Sequence, residues 1–208
     1  MEKGYFITFE GSEGSGKSTQ AELLYKYLTK IKHNRRVLLL REPGGVKISE
    51  SVRKIILDNK NIAMSDECET LLYMAARAQL VAEQIGPALE SGAIVLCDRF
   101  LDSTIAYQGF GNGVNIELIR KVGEFATRGI IPHLTFLFDI YIKEGLRRRG
   151  NSLDRIEKRS LKYHNQVRQG YLELAKQEPK RIKVIKANGS KEEIQEVVRE
   201  YVRKLLKL

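Results

Sequence analysis

Residues 5–19 confine this chain to a small set of folds. Tyr5-Phe6-Ile7-Thr8-Phe9 is a short apolar run of strand type, and one residue later comes Gly11-Ser12-Glu13-Gly14-Ser15-Gly16-Lys17-Ser18. From Thr19 to Ile31 apolar residues recur at helical spacing, at Ala21, Leu24, Tyr25 and Leu28. A G-x-x-x-x-G-K-[ST] spacing between strand and helix lets backbone N–H groups converge on phosphate oxygens that a Cβ would hold away. Gly11, Gly14 and Gly16 permit positive φ and close approach, Lys17 reaches the terminal phosphates, and the Ser18 hydroxyl can ligate Mg²⁺. The stretch from Gly11 through Ser12, Glu13, Gly14, Ser15, Gly16, Lys17 and Ser18 to Thr19 is therefore a candidate ATP site, and a nucleoside triphosphate is the expected ligand.

The rest of the chain alternates. Strand-like runs fall at Phe6–Glu10, Val37–Arg41, Ala93–Asp98, Leu134–Asp139 and Ile182–Ala187, each short and apolar, as strands covered on both faces should be. Helical patterns lie between them at about 17–31, 48–59, 66–91, 115–127, 142–149, 153–177 and 190–206, with Pro43-Gly44-Gly45, Gly109 to Gly113 and Asn188-Gly189-Ser190 as loops. This order predicts an α/β fold: a doubly wound, five-stranded parallel sheet of P-loop NTPase type with helices on both faces. With no linker-like stretch, residues 1–208 are expected to form a single domain.

A formal charge of +10 raises the question of nucleic acid. The basic residues are interleaved with acids on helices, as in Lys191-Glu192-Glu193, and no recognition-helix or RNA-binding sheet motif is present, so nucleic acid is not expected as the main partner. No apolar run reaches the roughly 18 residues of a membrane span, and Met1-Glu2-Lys3-Gly4 does not read as a signal peptide. Two cysteines, Cys68 and Cys97, suit a reducing compartment, and the expectation is a cytoplasmic protein with Cys97 in the core.

In a doubly wound sheet ligands bind over the carboxyl ends of the strands. Those ends carry Arg41-Glu42-Pro43-Gly44-Gly45, Asp98-Arg99-Phe100 and Asp139. A carboxylate closing a strand beside the phosphate loop can hold Mg²⁺, so Asp98 is the second candidate metal residue after Ser18, with Asp139 as competitor. Arg41 and Arg99 sit where a fork of donors suits a phosphate. A switch GTPase is not supported, because the nearest guanine-type string, Asn59-Lys60-Asn61-Ile62, lacks the Asp.

Six strings in order, Phe9 to Thr19, Arg41 to Gly45, Ala75-Ala76-Arg77-Ala78-Gln79, Asp98-Arg99-Phe100, Ser103 to Gly109 and Leu153-Asp154-Arg155-Ile156-Glu157, resemble the thymidylate kinase family over nearly the whole chain. The resemblance implies transfer of the γ-phosphoryl group of ATP to dTMP with Mg²⁺, a cytoplasmic setting and a homodimer. It implies Lys17, Asp98 and Arg99 as catalytic residues. It also implies a dTMP pocket of Glu13 (sugar 3′-OH), Arg41, Pro43, Tyr73 (stacked on the base, where Phe is usual), Arg77 (base carbonyl), Arg99, Thr104 and Gln108 (base edge), and Tyr107 (excluding a 2′-OH). The segment at about 143–156 resembles the family's lid, shorter than in many relatives. Of its arginines, Arg149 and then Arg155 are the candidates to reach the transferring phosphoryl, because the phosphate loop carries no Arg. Val46 stands where Thr commonly follows Pro-Gly-Gly. No base is needed: a phosphate monoester with a second pKa of about 6 is already largely a dianion at neutral pH. The three histidines, His33, His133 and His164, are accordingly expected at the surface or in packing. Two rival readings are a kinase for another pyrimidine monophosphate and an ATP-driven switch protein.

Overall fold

The structure is a computed structural model that describes residues 4–149 and 153–208, without the Arg149 side chain. Among the described residues, β1 (Tyr5–Glu10), β2 (Val37–Arg41), β3 (Ile94–Asp98), β4 (Leu134–Asp139) and β5 (Ile182–Lys186) form one parallel sheet in the order β2-β3-β1-β4-β5. This is the expected doubly wound sheet. Register aligns Phe9 and Arg41 with Asp98, so the ends of β1, β2 and β3 form a ledge.

Alternation along β1 sorts the two layers. Ile7 and Phe9 pack with Leu24 and Leu28 of α1 (Lys17–Lys30) and Val198 and Val202 of α9 (Lys191–Leu206). Phe6 faces the opposite layer with Leu80 and Val81, beside Cys97, which is buried as expected. The second face also carries Thr8, whose hydroxyl meets that of Thr135 at 2.7 Å, and the buried Glu10.

That second layer is built from α2 (Lys47–Leu57), α3 (Asp66–Leu80), α4 (Gly86–Glu90), α5 (Leu101–Thr104), α6 (Ile116–Thr127) and α8 (Leu161–Gln177), while α7 (Ile142–Arg149) lies after β4. Three expectations are corrected here. The helical run at 66–91 is divided: Val81–Ile85 widens to π geometry before Pro87, which has no N–H and whose ring would crowd an α-helical turn. Residues 101–111, not expected to be helical, form α5 and a continuing π-helical turn, Ile105–Gly111. Helix α8 begins only after Ser160, whose hydroxyl accepts from Tyr163 N, and residues 155–158 form a turn instead. No helix among the described residues is long and apolar enough to cross a membrane.

Candidate active site

The phosphate loop has the backbone its glycines suggested. Gly11, Gly14 and Gly16 take φ of 139°, 68° and 86°. Gly16 caps α1 in the left-handed region, leaving the first N–H groups of the helix for an anion. Lys17 is buried with Nζ 3.5 Å from Ser12 O and 3.7 Å from Glu13. Burial, and then Arg99, lower the Lys17 pKa, against the pull of Glu13, Asp98 and Glu10.

Ser18 donates to Asp98 Oδ2, and Asp98 Oδ1 is buried with no partner. Among the described residues no group of three or more His, Cys, Asp or Glu side chains is arranged to hold a metal ion by itself. One carboxylate with an uncommitted oxygen plus one hydroxyl suits Mg²⁺, which keeps waters and shares phosphate oxygens rather than seeking an all-protein cage. The competitor Asp139 is taken: Arg168 holds it bidentately at 2.6 and 2.8 Å.

Arg99 follows Asp98 with a left-handed φ of 74°, a costly conformation for a residue with a Cβ. Its amide is pinned to Phe9 O, and its guanidinium reaches Ser103, Tyr171, Glu13 and Tyr107, with the Tyr107 ring 4.9 Å below. Burial alone would lower its pKa, but Glu13, Tyr107, Tyr171 and Asp98 outweigh that and hold it well above the ordinary value. Beneath lies Glu10, accepting from Phe100 N, Ser103 and Tyr171. Burial, reinforced by Asp102, pushes its carboxyl up to about 7.

These groups line one cleft of about 660 Å³. Glu13, Lys17, Ser18, Asp98 and Arg99 face it together with Arg41, Pro43, Tyr73, Thr104, Tyr107 and Gln108, so the structure brings most of the expected site residues to one place. Arg41 stands half-exposed at its edge, paired with Glu50 at 2.8 Å. Burial and Glu69 raise the pKa of the Tyr73 phenol well above its usual value, so it faces the cleft as a neutral ring.

Two arginines sit differently from expectation. Arg77 is 1% exposed, and its five donors are spent on Glu42 (twice), Met74, Thr104 and Phe100 O. It lies behind the cleft wall. Arg155 is 8% exposed and bonds Ile56 O and Glu69, away from the phosphate loop. Arg149 closes α7, and its side chain lies outside the described residues. In the lid segment Arg148 does face the cleft, donating to Ala187 O at 3.2 Å.

Sequence reading missed four participants. Arg53 of α2 faces the cleft and bonds Pro43 O, yet it reads as one basic residue on an amphipathic helix. Glu42 faces it too, with Oε1 buried and unpartnered; burial raises its pKa against the opposing Arg77. Tyr171 and Glu69 touch expected site residues from α8 and α3, and no local pattern marks either. The histidines pack: His133 Nδ1 accepts from Phe6 N, His164 is buried beside Tyr163, and His33 Nδ1 accepts from Arg35 N.

Comparison with known proteins agrees with this geometry. The family model described as thymidylate kinase matches residues 9–198. Thymidylate kinases of Symbiobacterium thermophilum (46% identical, covering 97% of this chain and 94% of that protein) and Kosmotoga olearia (47%, covering 98% of each) are similar over nearly their full length. The crystal structure of thymidylate kinase from Ehrlichia chaffeensis superimposes with a TM-score of 0.80 at 34% identity, covering 97% of this chain and 99% of that one. On motif, fold and full-length similarity alike, the chain belongs to the thymidylate kinase family.

Proposed function

We propose that this cleft transfers the γ-phosphoryl group of ATP to dTMP, giving ADP and dTDP. One observation carries the reading: the triphosphate cradle of Lys17, Ser18 and Asp98 and the acceptor-side group of Arg99, Glu13 and Tyr107 share one cleft. Two polyanions must meet in line there, and the work of the protein is positioning and charge neutralisation.

An oxygen of the dTMP phosphate forms the new bond to the γ-phosphorus as the bond to the β–γ bridging oxygen breaks, the electron pair leaving with ADP. Lys17 stabilises the β- and γ-phosphates, and the loop N–H groups bind without desolvating further charge. Ser18 and Asp98 would hold Mg²⁺, which when bound neutralises charge across the phosphates. Arg99 receives the acceptor phosphate already oriented by four side chains, which lowers the ordering cost of binding. Glu13 takes the sugar 3′-OH, Tyr107 fills the place of a 2′-OH, and Tyr73 stacks on the base above Thr104 and Gln108. Arg77, with its donors spent, fixes Glu42 and Thr104 in the wall.

We further propose a homodimer and a cytoplasmic setting. Adjacent helices α2, α3 and α6 expose Ile48, Ile55, Leu71, Leu118 and Phe125, with Ile48/Ile55 and Leu118/Phe125 each two turns apart on one face. Both cysteines are free thiols, which supports a reducing compartment.

The test is ADP release with ATP and Mg²⁺, alone and with dTMP, dUMP or dCMP, in the wild type and in Lys17→Ala. Release that depends on dTMP, and is lost in a folded Lys17→Ala protein, is expected. Strong release with ATP alone would instead identify a switch protein.

A further inference from the structure

Glu69, on α3, is 0% exposed, yet it is neither at the cleft wall nor in the phosphate loop. Its carboxylate gathers four donors from two distant segments. Oε1 accepts from Gln108 Nε2 at 2.9 Å and Asn112 Nδ2 at 3.2 Å; Oε2 accepts from Arg155 at 2.6 Å and Arg159 at 2.8 Å. A carboxylate needs such neighbours to be buried, but two guanidiniums already supply charge and donors. The bond to Gln108 therefore does something further.

An amide has two unlike ends, one accepting and one donating. A carboxylate can only accept, so Glu69 admits only the NH₂ end of Gln108, and the carbonyl oxygen is the end turned away from it. Gln108 is 1% exposed and lines the cleft beside Thr104 and Tyr73. We infer that Glu69 is a specificity-positioning residue: it fixes the sense of the Gln108 amide so that the cleft presents an acceptor to the base. An acceptor there matches a pyrimidine-2,4-dione, whose N3 carries a hydrogen. It opposes a 4-aminopyrimidine, whose N3 is itself an acceptor. The same carboxylate ties this choice to the end of the lid segment through Arg155 and to the turn that follows it through Arg159. The inference rests on the dTMP-kinase reading of the cleft.

The experiment compares kcat/KM for dTMP and dCMP in the wild type, Glu69→Gln, Gln108→Leu and the double variant, using dCMP competition against dTMP where dCMP turns over too slowly. With Gln at 69 the neighbouring amide can turn either way, and the dTMP-over-dCMP ratio is expected to fall about tenfold, the scale of one buried mismatched hydrogen bond. In the Gln108→Leu background Glu69→Gln should lower the ratio no further, because its effect passes through Gln108. A ratio within about twofold of wild type while both activities fall, or an equal loss in both backgrounds, means ordinary structural support and overturns the inference. Should Glu69→Gln not fold, Glu69→Asp keeps the charge for the arginines but withdraws from Gln108; an unchanged ratio in that folded protein overturns the inference equally. Wild-type protein without dTMP-dependent ADP release would remove the underlying reading, a result separate from an unchanged ratio in an active enzyme.

Discussion

Gly145 of α7 lies back to back with Gly14 of the phosphate loop: a Cβ on Gly14 would come within 2.0 Å of the Gly145 carbonyl oxygen, and one on Gly145 within 2.3 Å of Glu13 O. The helix leading into the lid is therefore seated directly on the loop backbone. Gly145→Ala should be unfavourable despite its helical position. Propensity favours Ala by about 1 kcal/mol, but overpacking against rigid backbone costs about 1–3 kcal/mol. The expected result is a lower Tm together with a lower kcat, since the loop that moves is the phosphate cradle. An alanine variant as stable and as active as wild type would mean that loop and helix are not coupled.

Glu10 gives the protein a pH signature. Its ordinary carboxyl value is 4.5, and burial, with Asp102, raises it to about 7 in the fold. Between these values the folded state binds more protons than the unfolded, so stability falls as pH rises from about 4.5 to about 7 and stays reduced above. Glu42, raised by burial, adds in the same direction. Urea melts across this window should show a flatter pH dependence for Glu10→Gln than for wild type. Equal slopes would mean that Glu10 titrates as it does in the unfolded chain.

The Tyr107 hydroxyl bonds Glu13 Oε1 and receives Arg99 Nη2, both at 3.0 Å, while its ring is buried. Hydroxyl and ring should therefore separate by mutation. Tyr107→Phe loosens Arg99 and should lower kcat while keeping preference for deoxyribose. Tyr107→Ala opens volume and should improve the relative kcat/KM for ribothymidine monophosphate over dTMP. If the ratio for Tyr107→Ala matches wild type while both activities fall, the ring only packs.

Phe125 is 85% exposed on α6, which also exposes Leu118, and the proposed dimer would cover it. Across a two-fold axis one such patch meets its own copy. In the proposed dimer Phe125→Glu would place like charges together, and sedimentation should show a dimeric wild type and a monomeric variant with its secondary structure retained. A monomeric wild type at micromolar concentration would remove the proposal.

Much of this site was legible because its geometry leaves little freedom. The loop glycines and the residues closing β2 and β3 follow from the sheet and the phosphate alone. Residues 101–111 were not legible. Gly109 and Gly111 look like loop punctuation, but they are there for close packing: a Cβ on Gly109 would press on Ile116 at 3.0 Å, and one on Gly111 on Tyr163 at 2.5 Å. The chain stays helical through them. The depth of Arg77 and Arg155 is not legible, since nothing local reveals that a guanidinium will be consumed by buried partners. Glu69 is hidden among Asp66 and Glu67, where a first-turn acid looks like a complement to the helix dipole.

The source of the transition-state arginine can now be narrowed. The phosphate loop offers Lys17 and no Arg, so cationic help is expected from an arginine elsewhere on the cleft, with Arg99 and the lid as the candidates. Arg155 is sealed against Glu69 and Ile56, and removing it leaves the buried Glu69 carboxylate with one guanidinium, Arg159, in place of two, a loss smaller than the roughly 3–5 kcal/mol of a buried charge left wholly unpaired. Arg155→Ala should therefore appear as a lower Tm and a higher KM for dTMP. The three arginines closing α7 behave differently. Arg148 already faces the cleft, held by Ala187 O and Glu144; Arg147 is exposed; Arg149 precedes Gly150. Arginines acting on a transferring phosphoryl contribute about 10³–10⁵ in rate, so the one that closes over the γ-phosphate should stand out by orders of magnitude from its neighbours. Single alanine substitutions at 147, 148 and 149, with kcat and dTMP binding measured separately, are expected to give one variant with kcat sharply reduced and binding retained, at Arg149 first and Arg148 second. If all three keep near-wild-type kcat, these arginines supply no charge to the transition state and Arg99 becomes the first candidate to carry it.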